Sequence, residues 1–277
     1  MSRIDVAFSR CRAAGNTAFI GFVTGGDPSL AHSKRYIQAM ADAGADVLEI
    51  GVPFSDPIAE GPVIQDANIR ALAANTTLDG IFGLVGELRQ EGYSPLPLVL
   101  LTYLNPVFHY GYERFFSRSA EAGVDGVIIP DLPFEERDEL LPAARAAGVD
   151  VISMIAPTST ERTERIAREA TGFIYLVSSL GVTGVRSQIN TDLDAIIQRI
   201  RAVSDVPVAV GFGLHSPEQA RQIGPLADGF IVGSAIVKMI AADPQAAEQQ
   251  LHKYVKEMKA ALGALDAAGG TTRAPNM

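Results

Sequence analysis

Eight short runs rich in β-branched and apolar residues alternate with longer segments of helical periodicity, and this alternation leaves the chain few ways to fold. The runs lie at 18–24, 47–52, 98–102, 126–130, 149–155, 173–178, 208–211 and 229–232. Between them apolar residues recur at helical spacing, as in Leu193, Ile196, Ile197 and Ile200. Alternating strands and helices predict a parallel sheet with right-handed crossovers. Eight such units close most simply into one (β/α)8 TIM barrel, and 277 residues suit a barrel of roughly 250. An open doubly wound sheet is the other arrangement of the same elements. An extra helix is expected over 3–14, before the first strand, where it can plug the barrel bottom. The barrel is expected to occupy residues 1–265, and 266–277 read as a frayed tail.

A weak internal repeat supports the βα reading. Ala43-Gly-Ala-Asp-Val47, Ala122-Gly-Val-Asp-Gly126 and Ala147-Gly-Val-Asp150 each end a helix in glycine and feed a strand. Glycine there relieves the left-handed position that follows a helix. The net charge of -9 argues against nucleic acid or an anionic membrane as the main partner. Cys11 is the only cysteine, which excludes an internal disulfide and a cysteine metal site and fits a reducing cytoplasm. The first residues carry no apolar core of a secretory signal. No run approaches the roughly 18 apolar residues of a membrane span.

The chemistry is expected at the C-terminal ends of the strands. In the run from Val47 to Gly51, side chains alternate, so Glu49 shares a face with Val47 and Gly51, and Leu48 and Ile50 take the other. An unpaired carboxylate in an apolar strand either raises its pKa or finds a partner. A raised pKa suits a group that takes and gives a proton near neutral pH; an ion pair closing the strand is the plainer reading. Asp56, Glu60 and Asp66 follow within one loop and helix start, which favours function.

Two late strands end in glycine, at Gly211-Phe-Gly213 and at Gly233-Ser234. Such turns admit an anion to backbone N–H groups, and a helix starting at Ser234 adds its positive end. Each alone reads equally as a tight turn; together, on the last two strands, they predict a phosphate site. The segment from Ser178 to Arg186 is rich in Gly, Ser and Thr, as suits a lid closing over a ligand or a plain surface loop. Tyr175 points into the barrel mouth or sits as an ordinary core tyrosine. Thr24-Gly-Gly-Asp-Pro-Ser29 reads as a turn and helix cap, with Asp27 or Ser29 serving the backbone, and as a possible substrate contact. His32, His109, His215 and His252 lack metal-ligand spacing, so no metal is assigned. The absence of a Gly-Lys-Ser/Thr loop and of a Gly-x-Ser-x-Gly elbow argues against nucleotide hydrolysis and acyl transfer.

Several segments in order resemble the alpha subunit family of tryptophan synthase over nearly the whole chain. They are Phe19 to Pro28, Leu48 to Pro57 with Gly61 to Gln65, Thr102 to Pro106, Pro130 to Pro133, Ser179 to Gly184, Gly211 to Gly213, and Gly233-Ser234. The resemblance implies a lyase that cleaves indole-3-glycerol phosphate to indole and glyceraldehyde 3-phosphate in tryptophan biosynthesis. It implies no cofactor in this chain and a partner beta subunit that carries PLP, in an alpha2beta2 complex in the cytoplasm. Glu49 and Glu60 would be catalytic. Phe22, Leu100, Val127, Tyr175, Thr183 and Phe212 would line the substrate, with Thr183 on the lid. Gly184, Gly213, Gly233 and Ser234 would hold phosphate. The loop from Pro53 to Glu60 and the segment from Pro130 to Pro133 would meet the partner.

One position departs from the family pattern: Glu60 stands where Asp is usual. The added methylene shifts a carboxylate by about 1 Å, and such a shift can cost on the order of a hundredfold. Either the loop is displaced to suit Glu60, or the chain cleaves slowly and serves chiefly to activate its partner. Another phosphate-binding barrel enzyme is a further rival. It would need a catalytic lysine at a strand end, and Lys34, Lys238, Lys253, Lys256 and Lys259 all fall outside the expected strands.

Overall fold

The computed structural model describes residues 1–156, 160–178, 186–211 and 213–263, with 186–192 described by backbone alone. The expected end of the barrel at residue 265 and the tail lie outside the described residues.

The strands are β1 (Ala18–Thr24), β2 (Val47–Gly51), β3 (Leu98–Leu101), β4 (Gly126–Ile128), β5 (Asp150–Val151), β6 (Ser153–Ile155), β7 (Ile174–Val177), β8 (Val208–Gly211) and β9 (Gly229–Val232). All pair in parallel, in the order β5-β4-β3-β2-β1-β9-β8-β7-β6. The two outer members, β5 and β6, are separated by Ile152 alone. The chain itself therefore closes the ring, which rules out the open sheet. The single expected run at 149–155 is divided because its two halves have different neighbours. Asp150 and Val151 pair with β4, Ile152 N donates to Val127 O at 2.9 Å, and from Ser153 the strand pairs with β7.

The helices that position the site are α1 (Arg3–Ala13), α2 (Leu30–Asp42), α3 (Pro62–Ala73), α4 (Leu78–Gln90), α5 (Leu104–Tyr110), α6 (Tyr112–Ala122), α7 (Leu141–Ala147), α8 (Thr160–Arg168), α9 (Arg186–Arg201), α10 (Pro217–Ile223), α11 (Ser234–Ala242) and α12 (Ala247–Gly263). In α2, Ser33, Tyr36, Ile37 and Met40 are buried on one stripe, and Ser29 caps the first turn by accepting from His32 N. Ser29 thus takes the capping role; Asp27 instead makes a two-pronged ion pair with Arg70, 2.8 Å at each prong.

Strand side chains divide between two cores. Leu48, Ile50, Leu98, Leu100 and Val127 pack outward against Tyr36, Phe82, Phe115 and their neighbours on the helices. Ala18, Ile20, Val47, Val99, Ile128, Ile152, Phe173, Ala209 and Ile231 pack inside the barrel. Helix α1 closes the bottom of that interior through Ile4, Ala7, Phe8 and Cys11, with the Phe8 and Phe173 rings 5.7 Å apart.

Two aspartates of the repeat, Asp46 and Asp125, act at the bottom rim together with Asp228, which precedes β9. Asp46 accepts from Phe19 N at 2.9 Å, Asp125 from Leu98 N at 2.8 Å, and Asp228 from Val208 N at 3.1 Å. Each carboxylate thus ties the start of one strand to the start of its neighbour. Arg10, Arg3 and Arg12 of α1 pair with these same three aspartates. The plug is held by charge as well as by burial.

Candidate active site

Glu49 lies inside the barrel, at the register position of Phe22 on β1, and is 1% exposed. Burial raises its pKa from 4.5 to about 8. Among the described residues no cation offsets that rise. Among the described residues two buried side-chain polar atoms lack a hydrogen-bond partner: Glu49 Oε1 and Thr24 Oγ1. Leaving such atoms unpaired costs free energy, so the fold keeps here a polar capacity that its own atoms do not use. A carboxyl near pKa 8 can donate and accept a proton around neutral pH.

Two aromatic side chains flank this carboxyl. Phe22 packs with Ala67 and Val237 at the top of the interior. Tyr175 packs with the inner core, and its phenol is held neutral by burial and by the Glu49 charge. Two glycines make room for these rings. A Cβ on Gly51 would stand 2.6 Å from Phe22 Cζ, and one on Gly211 would stand 2.5 Å from the Tyr175 hydroxyl. Gly211 therefore has a packing role that its strand-end position does not announce.

Glu60 lies half-buried on the loop between β2 and α3. Its Oε2 accepts from Asn68 Nδ2 at 2.7 Å. Burial pushes its pKa up, and hydrogen bonds from Asn68 and Tyr103 pull against that rise. The Tyr103 hydroxyl also accepts from Ala59 N at 3.0 Å, fixing the loop just before Glu60. Asp56 and Asp66 are exposed and take no part in this pocket.

The structure corrects two of the implied substrate contacts. Leu100 and Val127 face the helices, not the interior. The next register pair, Leu101 and Ile128, faces inward, as does Met154. The run Leu98-Val-Leu-Leu101 is apolar on both faces, so composition carries no phase; counting two residues on from inward-facing Val99 finds Leu101. Asn68 and Tyr103 also escaped the sequence reading, since neither residue type points to a carboxylate cradle.

Gly233 caps α11, and Ser234 is exposed as its first residue. The first intrahelical bond runs from Val237 N to Gly233 O at 3.1 Å, so the N–H groups before it face the mouth unpaired within the helix. Gly213, exposed after β8, takes a φ of +73°. Thr183, Gly184 and Phe212 lie outside the described residues, as does most of the expected lid.

Between the top of β4 and β6, where no ladder joins them, a cavity of about 360 Å³ opens. It runs from Ile152 and Met154 to Pro130 and Pro133 on the loop after β4. All five lysines lie on helices, which removes the strand-end lysine that a rival barrel chemistry needs. Among the described residues no group of three or more His, Cys, Asp or Glu is placed to hold a metal, and no helix is long and apolar enough to cross a membrane.

A nearly closed parallel barrel with an unpaired carboxyl in its interior defines a (β/α)8 barrel protein equipped for acid–base chemistry. Comparison with known proteins narrows that class. The family model for the tryptophan synthase alpha chain matches residues 8–264. The tryptophan synthase alpha chain of Lacticaseibacillus casei is 46% identical over 89% of this chain and 92% of its own length. That of Methanoregula boonei is 46% identical over 94% and 98%. The crystal structure of the alpha chain from Legionella pneumophila superposes with a TM-score of 0.87 at 35% identity, covering 97% of this chain and 100% of that one. An open form of tryptophan synthase from M. tuberculosis gives 0.85 at 33% identity, over 95% and 99%. The chain belongs to the tryptophan synthase alpha chain family.

Proposed function

We propose that this chain is a lyase that cleaves indole-3-glycerol phosphate to indole and glyceraldehyde 3-phosphate, as the alpha subunit of a tryptophan synthase. Family membership supports the substrate, and the unpaired Glu49 carboxyl is the single observation that supports the chemistry. In the proposed step the protonated Glu49 gives its proton to indole C3. The bond between C3 and the glycerol carbon then breaks, and its electrons neutralise the cationic ring nitrogen. The resulting carboxylate takes the proton from the glycerol hydroxyl as the aldehyde forms. One proton enters and one leaves, so the step balances without a cofactor in this chain. Glu60 accepts from the indole N–H and stabilises the positive charge there. Phe22, Leu101, Ile128 and Tyr175 form the apolar walls. Gly213, Gly233 and Ser234 donate backbone N–H groups to the phosphate.

The mouth also suits a partner. Ile58, on the loop carrying Glu60, is 79% exposed, and Phe108, on α5 after β3, is 68% exposed. Exposed large apolar side chains around an active-site mouth favour protein docking. A beta subunit carrying PLP would receive the indole on this face, in an alpha2beta2 complex in the cytoplasm. Measuring indole release by the chain alone and with saturating beta subunit tests this reading. Release that rises manyfold with the partner supports it, because favouring a closed state by a few kcal/mol changes its population that much. No indole in either case would overturn the assignment.

A further inference from the structure

Thr24 ends β1 and is 2% exposed. Counting in twos from Ala18, Ile20 and Phe22, its side chain falls on the inner face of the barrel. Its carbonyl is used: it accepts from Asp27 N at 3.3 Å and from Ser33 Oγ at 3.4 Å. Its hydroxyl has no partner, a condition it shares only with Glu49 Oε1 among the buried side-chain atoms described. A valine would fill the same volume without that cost. An orphaned hydroxyl on the neighbouring strand, two residues nearer the mouth than an orphaned carboxyl, therefore points to a common ligand.

The sheet order says which part of a ligand passes Thr24. Strand β1 lies between β2, which carries Glu49, and β9, which leads into Gly233 and Ser234. Thr24 pairs in register with Gly51, two residues beyond Glu49 toward the mouth. Gly21 pairs with Val232, so the cap of α11 stands beside the upper half of β1. A substrate with its phosphate at α11 and its reacting carbon at Glu49 must carry its linking chain across the end of β1.

We propose that Thr24 Oγ1 is a substrate-binding group that hydrogen-bonds a hydroxyl of the polyol chain joining the phosphate to the reacting carbon. This rests on the cleavage and phosphate reading above and adds a determinant for the hydroxylated linker. The phosphate and indole ends are recognised elsewhere; Thr24 reads what lies between them.

The test compares binding of glycerol 3-phosphate and propyl phosphate, which differ only in the hydroxyls, to wild type, Thr24→Val and Thr24→Ser. Wild type is expected to prefer glycerol 3-phosphate by roughly five- to tenfold, the usual worth of one hydrogen bond. Thr24→Ser keeps that preference. Thr24→Val loses it, binds propyl phosphate as wild type does, and melts no lower than wild type because an unpaired buried hydroxyl has gone. A Thr24→Val protein that keeps the preference would overturn the proposal. So would equal weakening of both probes, which is the mark of a structural role, or a wild type without preference. Indole release by wild type is measured alongside. Its failure would sink the cleavage reading, whereas the probe comparison judges Thr24 by itself.

Discussion

Glu49 links the chemistry of the site to the stability of the fold. Its folded pKa of about 8 lies above the ordinary 4.5, so the folded chain keeps a proton that the unfolded chain releases at lower pH. The resulting stability is full below the unfolded value and is lost as pH rises through about 8. Glu49→Gln is neutral throughout and lacks this loss. Wild type should therefore lose stability relative to Glu49→Gln between pH ~5 and ~8, at about 1.4 kcal/mol per unit of pKa difference and so a few kcal/mol in all. Denaturant unfolding at several pH values checks this; a constant difference between the two proteins would contradict it. The Glu60 carboxylate accepts from Asn68 at 2.7 Å. Shortening the side chain should cost reach, so Glu60→Asp is expected to lower turnover by about tenfold, and Glu60→Ala further because the charge at the ring nitrogen is lost too. Steady-state indole release decides; faster turnover by Glu60→Asp would mean that the longer arm is a handicap the loop never accommodated.

At the scale of elements, the barrel separates a catalytic top from a stabilising bottom. Asp125 shows the bottom at work: it accepts from Leu98 N, pairs with Arg89 at 2.7 Å, and meets Arg3 of the plug at 2.9 Å. Asp125→Ala leaves Arg89 buried and short of its partner. The loss should be about 3–5 kcal/mol of unfolding free energy, with kcat unchanged in the protein that remains folded. A fall in kcat without a fall in stability would break the division between the two ends. The alternation of elements and the Gly-Asp turns made the barrel and its plug legible, because each strand needs its own crossover helix and a turn to enter it. Glu49 was legible for a related reason: a charge in an apolar strand marks the inner face. Strands without such a mark, β3 and β4, gave no phase, so Leu100 and Val127 were expected on the inner face that Leu101 and Ile128 occupy. The division of the fifth strand was hidden too, since a change of pairing partner at Ile152 leaves no trace in composition.

Taken whole, the molecule fixes its strands at one end through α1 and three aspartates and carries Glu49, Glu60 and the exposed side chains of Ile58 and Phe108 toward the other. That polarity lets the mouth contact a partner without disturbing the fold, and it places Glu49 on a rigid strand while Glu60 sits on a loop within reach of docking. The cradle from Asn68 and Tyr103 ties that loop to α3 and to the chain after β3, so contact with Ile58 or Phe108 can be felt at Glu60. Glu49 is proposed to move the proton that breaks the carbon–carbon bond. Single-turnover cleavage of indole-3-glycerol phosphate by wild type and Glu49→Gln, each saturated with beta subunit, tests it most directly, with substrate binding measured on the same samples. Glu49→Gln is expected to bind substrate within a few-fold of wild type and to release indole at least about 10²-fold more slowly. Indole release by Glu49→Gln at near the wild-type rate would contradict it.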